Sequence, residues 1–134
     1  MSPSETVHTR PARLELATTF TFEASHQLHR APSGSKCARL HGHSWKVDVL
    51  VEGELDQEHG WVVDFDDIAR AFEPVYDALD HRHLNDVEGL ETPTSELVAI
   101  WIWDRLAGAL PQLSGITVHE TCTARCTYRG PGNG

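Results

Sequence analysis

The chain has 134 residues, 40% of them hydrophobic, and a formal net charge of −9. That length and apolar share suit one compact domain around one core. The acidic balance argues against a nucleic-acid or anionic-membrane surface, and no apolar run is long enough to span a bilayer.

Residues 1–12 are polar and punctuated by proline, and read as a flexible arm. From Leu14 the pattern alternates. Leu16, Thr18, Phe20, Phe22, Ala24 and His26 share one face, and Glu15, Thr19, Thr21 and Glu23 take the other. That predicts a long strand with one buried side, whose inward row ends on His26. Residues 27–40 hold Pro32, Ser33, Gly34 and Ser35 and read as a loop. Within it Arg30, Lys36 and Arg39 surround Cys37, with no acid among residues 27–47, so an anionic small molecule is drawn there despite the overall charge.

His41 and His43 sit two apart where a second alternating run begins, with Trp45, Val47, Val49 and Val51. In a strand, residues i and i+2 point to the same face, so both imidazoles are expected to face inward with that row. Two imidazoles with the Cys37 thiol four residues before His41 point to a zinc site beside a reactive group. The alternative is a His-x-His pair that caps a strand, with Cys37 packed as a small hydrophobe. If the two strands pair, His26 joins His41 and His43 in a three-histidine site.

The second strand runs from about His43 to Glu54. Gln57 to Gly60 form a turn, and Trp61, Val62 and Val63 read as a third short strand. Glu54, Asp56, Glu58, Asp64, Asp66 and Asp67 form a solvated acidic stretch with no Lys or Arg among residues 54–67. Phe65, Ile68, Ala69, Phe72, Val75, Tyr76 and Leu79 recur at helical spacing. Asp64 is placed to cap that helix and Pro74 to kink or divide it. The following L-D-H-R-H-L-N-D reads as too polar for core. A second helix is expected from Thr92-Pro93, with proline in its first turn; Leu97, Ile100, Trp101 and Leu106 mark its buried stripe, and Pro111 bounds it. Trp101 and Trp103 read as core or interface.

Ile116, Val118, Glu120 and Cys122 then alternate with Thr117, His119 and Thr121. Glu120 therefore falls on an apolar row, where a carboxylate needs a cation or hydrogen-bond donors, unless the strand is an edge wet on both faces. A last strand from about Ala124 to Tyr128 precedes a flexible tail, residues 131–134. The order predicts an α+β domain over residues 13–130, a four-stranded antiparallel sheet with two helices on one face. Three cysteines, Cys37, Cys122 and Cys126, and no secretory apolar segment at the start make a reducing cytoplasm the expected compartment.

Six stretches occur in order: F-E-A-S-H (22–26), C-A-R-L-H-G-H (37–43), G-W-V-V-D-F (60–65), L-D-H-R-H-L-N-D (79–86), P-T-S-E (93–96) and E-T-C-T-A-R-C-T-Y-R-G (120–130). Together they resemble the 6-pyruvoyl-tetrahydropterin synthase superfamily over about residues 14–130. The last stretch points to its bacterial branch, the 6-carboxytetrahydropterin synthases of queuosine biosynthesis. The resemblance implies the tunnelling fold (T-fold), with subunit sheets joined into a barrel, and a homohexamer built as a dimer of trimers. It implies zinc on His26, His41 and His43, a catalytic Cys37, an Asp80–His81 pair and a pterin-anchoring Glu120, with Thr121 to Ala124 lining the adjacent wall. The implied substrate is 7,8-dihydroneopterin triphosphate. It becomes 6-carboxy-5,6,7,8-tetrahydropterin with release of acetaldehyde and triphosphate.

Three imidazoles leave one zinc position open, as catalytic sites require, and Cys37 as thiolate would accept a proton. Arg30, Lys36 and Arg39 are assigned to the triphosphate from charge alone. Arg125 stands where the resemblance leads one to expect a smaller residue. The competing readings are a pyruvoyl-type synthase, an aldolase releasing glycolaldehyde, and a structural zinc module in which Cys37 is the fourth ligand.

Overall fold

The computed structural model describes residues 10–28 and 41–132, and of His41 the backbone alone. In chain order come β1 (Arg13–His26), β2 (His41–Glu54), α1 (Phe65–Leu79), β3 (Arg82–His83), a 3-10 turn at Leu84–Asp86, α2 (Ser95–Leu106), β4 (Leu113–His119) and β5 (Arg125–Tyr128). The strands form one sheet in the order β3-β1-β2-β4-β5.

β1 and β2 pair antiparallel over their full length, from Arg13 opposite Glu54 to His26 opposite His41. The alternation read from the sequence is the cause, because only one register puts the alternating apolar rows of both strands on one face. On that face Phe22, Ala24, His26, Trp45, Val47, Val49 and Val51 are buried. β4 extends the row, with Val118 opposite Val47 and Ile116 opposite Val49. Each such side chain contributes about 1.5–3 kcal/mol by leaving water. The helices cover this face, where Phe72 of α1 stacks on Phe20 with ring centroids 4.0 Å apart.

α1 begins as expected, with the Asp64 carboxylate accepting from Asp66 N–H at 2.9 Å. Its buried stripe is narrower than predicted. Ile68, Phe72, Val75 and Leu79 are buried, whereas Phe65, Ala69 and Tyr76 are exposed. Pro74 neither divides nor ends the helix. It lies on the exposed side with Arg70, so the carbonyl that it cannot bond faces water. α2 starts at Ser95, with Thr94 as its cap and Pro93 outside it. Wedged between α1 and the β4–β5 edge, α2 buries Ser95, Val98, Ala99, Trp101, Ile102 and Leu106, while Leu97 is exposed. The expected single stripe was too simple, since a helix packed on two sides buries adjacent rows.

Four further expectations are corrected. Among the described residues the sheet has five strands and is mixed, because Arg82–His83 pairs parallel with Ala24 and Ser25 on the other side of β1 from β2. The segment judged too polar for core also buries Leu79 and Leu84 completely, while its polar members are half-buried or exposed. Trp61 to Val63 make no strand. Both edges of β2 are already taken, and the segment is held by a turn in which Asp56 N–H donates to Trp61 O at 2.8 Å. Finally, β4 stops at His119, so Glu120 lies beyond the ladder and is exposed. The chain must reverse over residues 120–124 to set Arg125 opposite His119, and Glu120 and Thr121 N–H both reach Ala124 O. Glu120 is therefore not a buried carboxylate on an apolar row.

Residues 10–12 of the expected arm are tied down, since Ala12 O accepts from Leu55 N–H at 2.8 Å and Arg10 O from Gln57 at 3.3 Å. No helix among the described residues is long and apolar enough to cross a membrane.

The outer face of the sheet is polar and cross-linked. Asp48 of β2 accepts from Thr19 of β1 at 2.7 Å and from His119 of β4 at 2.8 Å. Burial opposes charge on Asp48, but the His119 and Thr19 hydrogen bonds outweigh it and hold the carboxyl below its ordinary value of 3.8. A depressed carboxyl stabilises the fold above its unfolded pKa, and that contribution disappears as pH falls through the folded value. Asp48→Asn should therefore be less stable than the parent by a constant margin at neutral pH, and the margin should shrink below pH 3.8. Urea unfolding across pH 2–7 checks this; acid limbs that stay parallel would show that Asp48 carries no native-state charge advantage.

Candidate active site

β1 ends and β2 begins at one corner of the sheet, which brings two predicted histidines together. His26 is 2% exposed, and its Nδ1 lies 3.0 Å from Pro93 O. His43 Nδ1 lies 2.9 Å from Ser44 O. A carbonyl only accepts, so each ring carries its proton on Nδ1 and turns Nε2 inward as an acceptor. The two Nε2 atoms are 3.4 Å apart. Trp45 forms the floor, stacked on His43 at 4.5 Å and meeting His26 edge-on at 4.9 Å.

Two facing acceptors need a proton or a cation between them. A tetrahedral zinc ion about 2.05 Å from each nitrogen sets its ligand nitrogens about 3.3 Å apart, and Nδ1–H donation to a carbonyl is the usual support of a metal-bound imidazole. The pair therefore fits such an ion. His41, the expected third ligand, has its backbone opposite His26. Among the described residues no group of three His, Cys, Asp or Glu side chains forms a metal cluster. Cys37, Arg30, Lys36 and Arg39 lie outside the described residues, as does the His41 side chain.

Each histidine of the pair lines a different cavity. The first, of about 260 Å³, is bounded by His26, Leu28, Thr94, Ser95, Glu120 and Cys126. Although Glu120 is off the ladder, it is held, since the buried Ser95 hydroxyl donates a hydrogen bond to its carboxylate. Thr121 is not among the lining residues. Its hydroxyl accepts from the Ala124 and Thr123 N–H groups and braces the turn. Arg125 lies at the wall, exposed. Burial, then the nearby Glu96, pushes the Cys126 thiol up, so it is a poor nucleophile.

The second cavity, of about 400 Å³, is lined by His43, Glu23, Ser25, His81, Arg82 and His83. Asp80 and His81 meet here, with His81 Nδ1 2.7 Å from Asp80 Oδ2. Asp80 Oδ1 accepts from Glu23 N–H at 3.0 Å. That backbone bond, ahead of those from His81 and Tyr76, keeps the carboxyl below its usual range against the opposing effect of burial. His81 adopts φ 59°, and its N–H donates to Glu23 O at 2.6 Å. A non-glycine residue held there costs about 1–3 kcal/mol, which the surrounding bonds must offset. The result is an imidazole 78% exposed, oriented from behind by a carboxylate.

The sequence reading missed Ser95, the Pro93 carbonyl, the Glu23 backbone, His83 and Cys126. P-T-S-E carried a signal for two of these. Glu23 carried none, because it acts through main-chain atoms.

Residues 15–131 match the protein family described as 6-pyruvoyl tetrahydropterin synthase. The chain is 43% identical over 118 residues to the 6-carboxy-5,6,7,8-tetrahydropterin synthase of Synechocystis sp., covering 84% of this chain and 90% of that one. It is 36% identical over 90 residues to the dihydroneopterin monophosphate aldolase of Pyrococcus furiosus, covering 67% of this chain and 75% of that one. The solved structure of Caenorhabditis elegans 6-pyruvoyl tetrahydropterin synthase superposes with a TM-score of 0.81 at 31% identity, over 92% of this chain and 100% of that one. The α+β tunnelling fold expected from the sequence is thereby established.

Proposed function

The chain belongs to the 6-pyruvoyl tetrahydropterin synthase family, and on that premise we propose that it is a zinc-dependent lyase of the carboxy branch. It converts 7,8-dihydroneopterin triphosphate and water to 6-carboxy-5,6,7,8-tetrahydropterin, acetaldehyde and triphosphate, a step toward queuosine. The observation that carries this reading is the facing imidazole pair, with a held carboxylate in one adjoining cavity and an Asp–His pair in the other. The branch assignment is supported by the Synechocystis relative and by the segment from Glu120 to Gly130.

His26, His41 and His43 would hold the ion, which when bound supplies a Lewis acid for negative charge developing on the substrate's side-chain oxygens. Cys37 removes a proton from the side chain as general base. His81 holds or delivers a proton at Nε2, with Nδ1 engaged by Asp80. Glu120, aligned by Ser95, accepts from the amino and ring N–H groups of the pterin. Arg30, Lys36 and Arg39 neutralise the triphosphate. Residues 13–130 form the catalytic unit, flanked by the arm and the tail. The sheet ends on β3 and β5, and these edges support a hexamer in which subunit sheets join into a barrel. The free Cys122 and Cys126 thiols suit a reducing cytoplasm.

Incubation with dihydroneopterin triphosphate should yield acetaldehyde and triphosphate in equal amounts. Triphosphate without acetaldehyde would place the chain with the pyruvoyl enzymes, and glycolaldehyde would place it with the aldolase relative.

A second experiment separates catalysis from metal binding. The parent should hold about one zinc per chain, and His41→Ala should lose metal and activity together. Cys37→Ala should keep its zinc while turnover falls about 10²–10⁴-fold. Zinc loss in Cys37→Ala would support the closed structural site instead.

A further inference from the structure

We propose that His83 is a second proton carrier of the site, held by Ser25 and acting on the water that the carboxy-branch reaction consumes. The inference rests on that branch reading, in which water is a reactant and needs a base. The cavity of about 400 Å³ is lined by two imidazoles from the stretch after α1, and the task of His81 leaves the other unused.

The ladder brings His83 to its partner. His83 pairs with Ser25, so the two side chains stand on one face of the sheet, and His83 Nδ1 lies 3.0 Å from Ser25 Oγ. That face is the outer one, since Ser25 continues the row of Thr19, Thr21 and Glu23. Arg82, between the two imidazoles, reaches instead toward α1, with Nη2 3.5 Å from Asp77 O. Gly42, opposite Ser25 on β2, puts no side chain into the cavity that His83 shares with His43. The two rings differ in what stands behind them. Asp80 only accepts, whereas the Ser25 hydroxyl is neutral and exchanges roles freely. With Ser25 Oγ accepting from Nδ1–H, the half-buried His83 keeps its Nε2 lone pair for the cavity.

The chemistry calls for such a group. Loss of triphosphate with internal redox leaves a pyruvoyl side chain, in which C1′ and C2′ are adjacent carbonyl carbons. Cys37 and His81 serve those proton movements. With the pterin ring held by Glu120 beside His26, its side chain extends toward His43 and this cavity. Reaching a carboxylate and acetaldehyde then adds one water across the C1′–C2′ bond. The water oxygen bonds to C1′ while His83 Nε2 takes one of its protons. The C1′–C2′ bond breaks, and its electron pair on C2′ takes that proton from His83. C1′ becomes the carboxyl carbon and C2′ the aldehyde carbon, His83 ends as it began, and no oxidant or reductant is consumed.

The ratio of acetaldehyde to triphosphate, measured on zinc-loaded protein with dihydroneopterin triphosphate, tests this. The parent should release the two in equal amounts. In His83→Gln the ratio should fall about 10²–10⁴-fold while a pyruvoyl tetrahydropterin accumulates, and added imidazole should raise it again in His83→Ala. A merely structural role would lower both products together. Nitrogen-15 NMR of the His83 ring needs neither a variant nor turnover, and the parent should show the Nδ1–H tautomer. A ratio in His83→Gln that matches the parent overturns the inference, whether or not total turnover falls, and so does an Nε2–H tautomer in the parent. In both cases acetaldehyde from the parent leaves the proposed function standing. Triphosphate without acetaldehyde from the parent overturns both.

Discussion

The register between β1 and β2 is the constraint on which the rest depends. It sets Phe22 opposite Trp45 and Ala24 opposite His43, and it ends with His26 opposite His41. A slip of one residue would send one strand's whole row to the outer face, taking Trp45 and His43 out of the core together. The small Ala24 leaves room for the imidazole across from it, and its carbonyl accepts from Trp45 Nε1 at 3.3 Å. The tryptophan is thereby fixed as the surface against which both histidines rest. The packing that stabilises the sheet and the placement of the imidazole pair are one event.

The start of α2 is the second point of economy. Within three residues, Pro93 supplies the carbonyl that orients His26, Thr94 caps the helix, and Ser95 donates to Glu120. A helix terminus concentrates unpaired polar groups, and here they face the open end of the sheet. Asp80 and His81 are placed by the opposite device, since the C-terminus of α1 hands its chain to the free edge of β1 through bonds to Glu23. Both carboxylates of the site are thus held by partners remote in the chain.

Much of this was legible in the residues. The alternation of β1 and β2 was plain because each strand has one wet and one dry face, so the inner row through Trp45, Val47, Val49 and Val51 could be read directly. The Asp64 cap was legible because a cap is a local hydrogen bond. β3 was not, because its two residues are strand only through a parallel neighbour nearly sixty positions earlier. Glu120 misled the reading, because alternation continued past the point where the ladder stops. Tyr76 misled it too, because spacing marks a helix face and not what lies opposite that face.

By itself, then, the sequence determined what depends on periodicity and residue type: two long strands with His26, His41 and His43 at their meeting ends, two helices, and a family signature spread along the chain. Tertiary structure alone decided which groups support these. The Pro93 carbonyl on His26, the Ser95 hydroxyl on Glu120, and the Glu23 amide on Asp80 follow from no local pattern. The physical reason is that a hydrogen bond between distant segments depends on where the packed sheet and helices bring them, and single-residue chemistry offers each donor many possible acceptors.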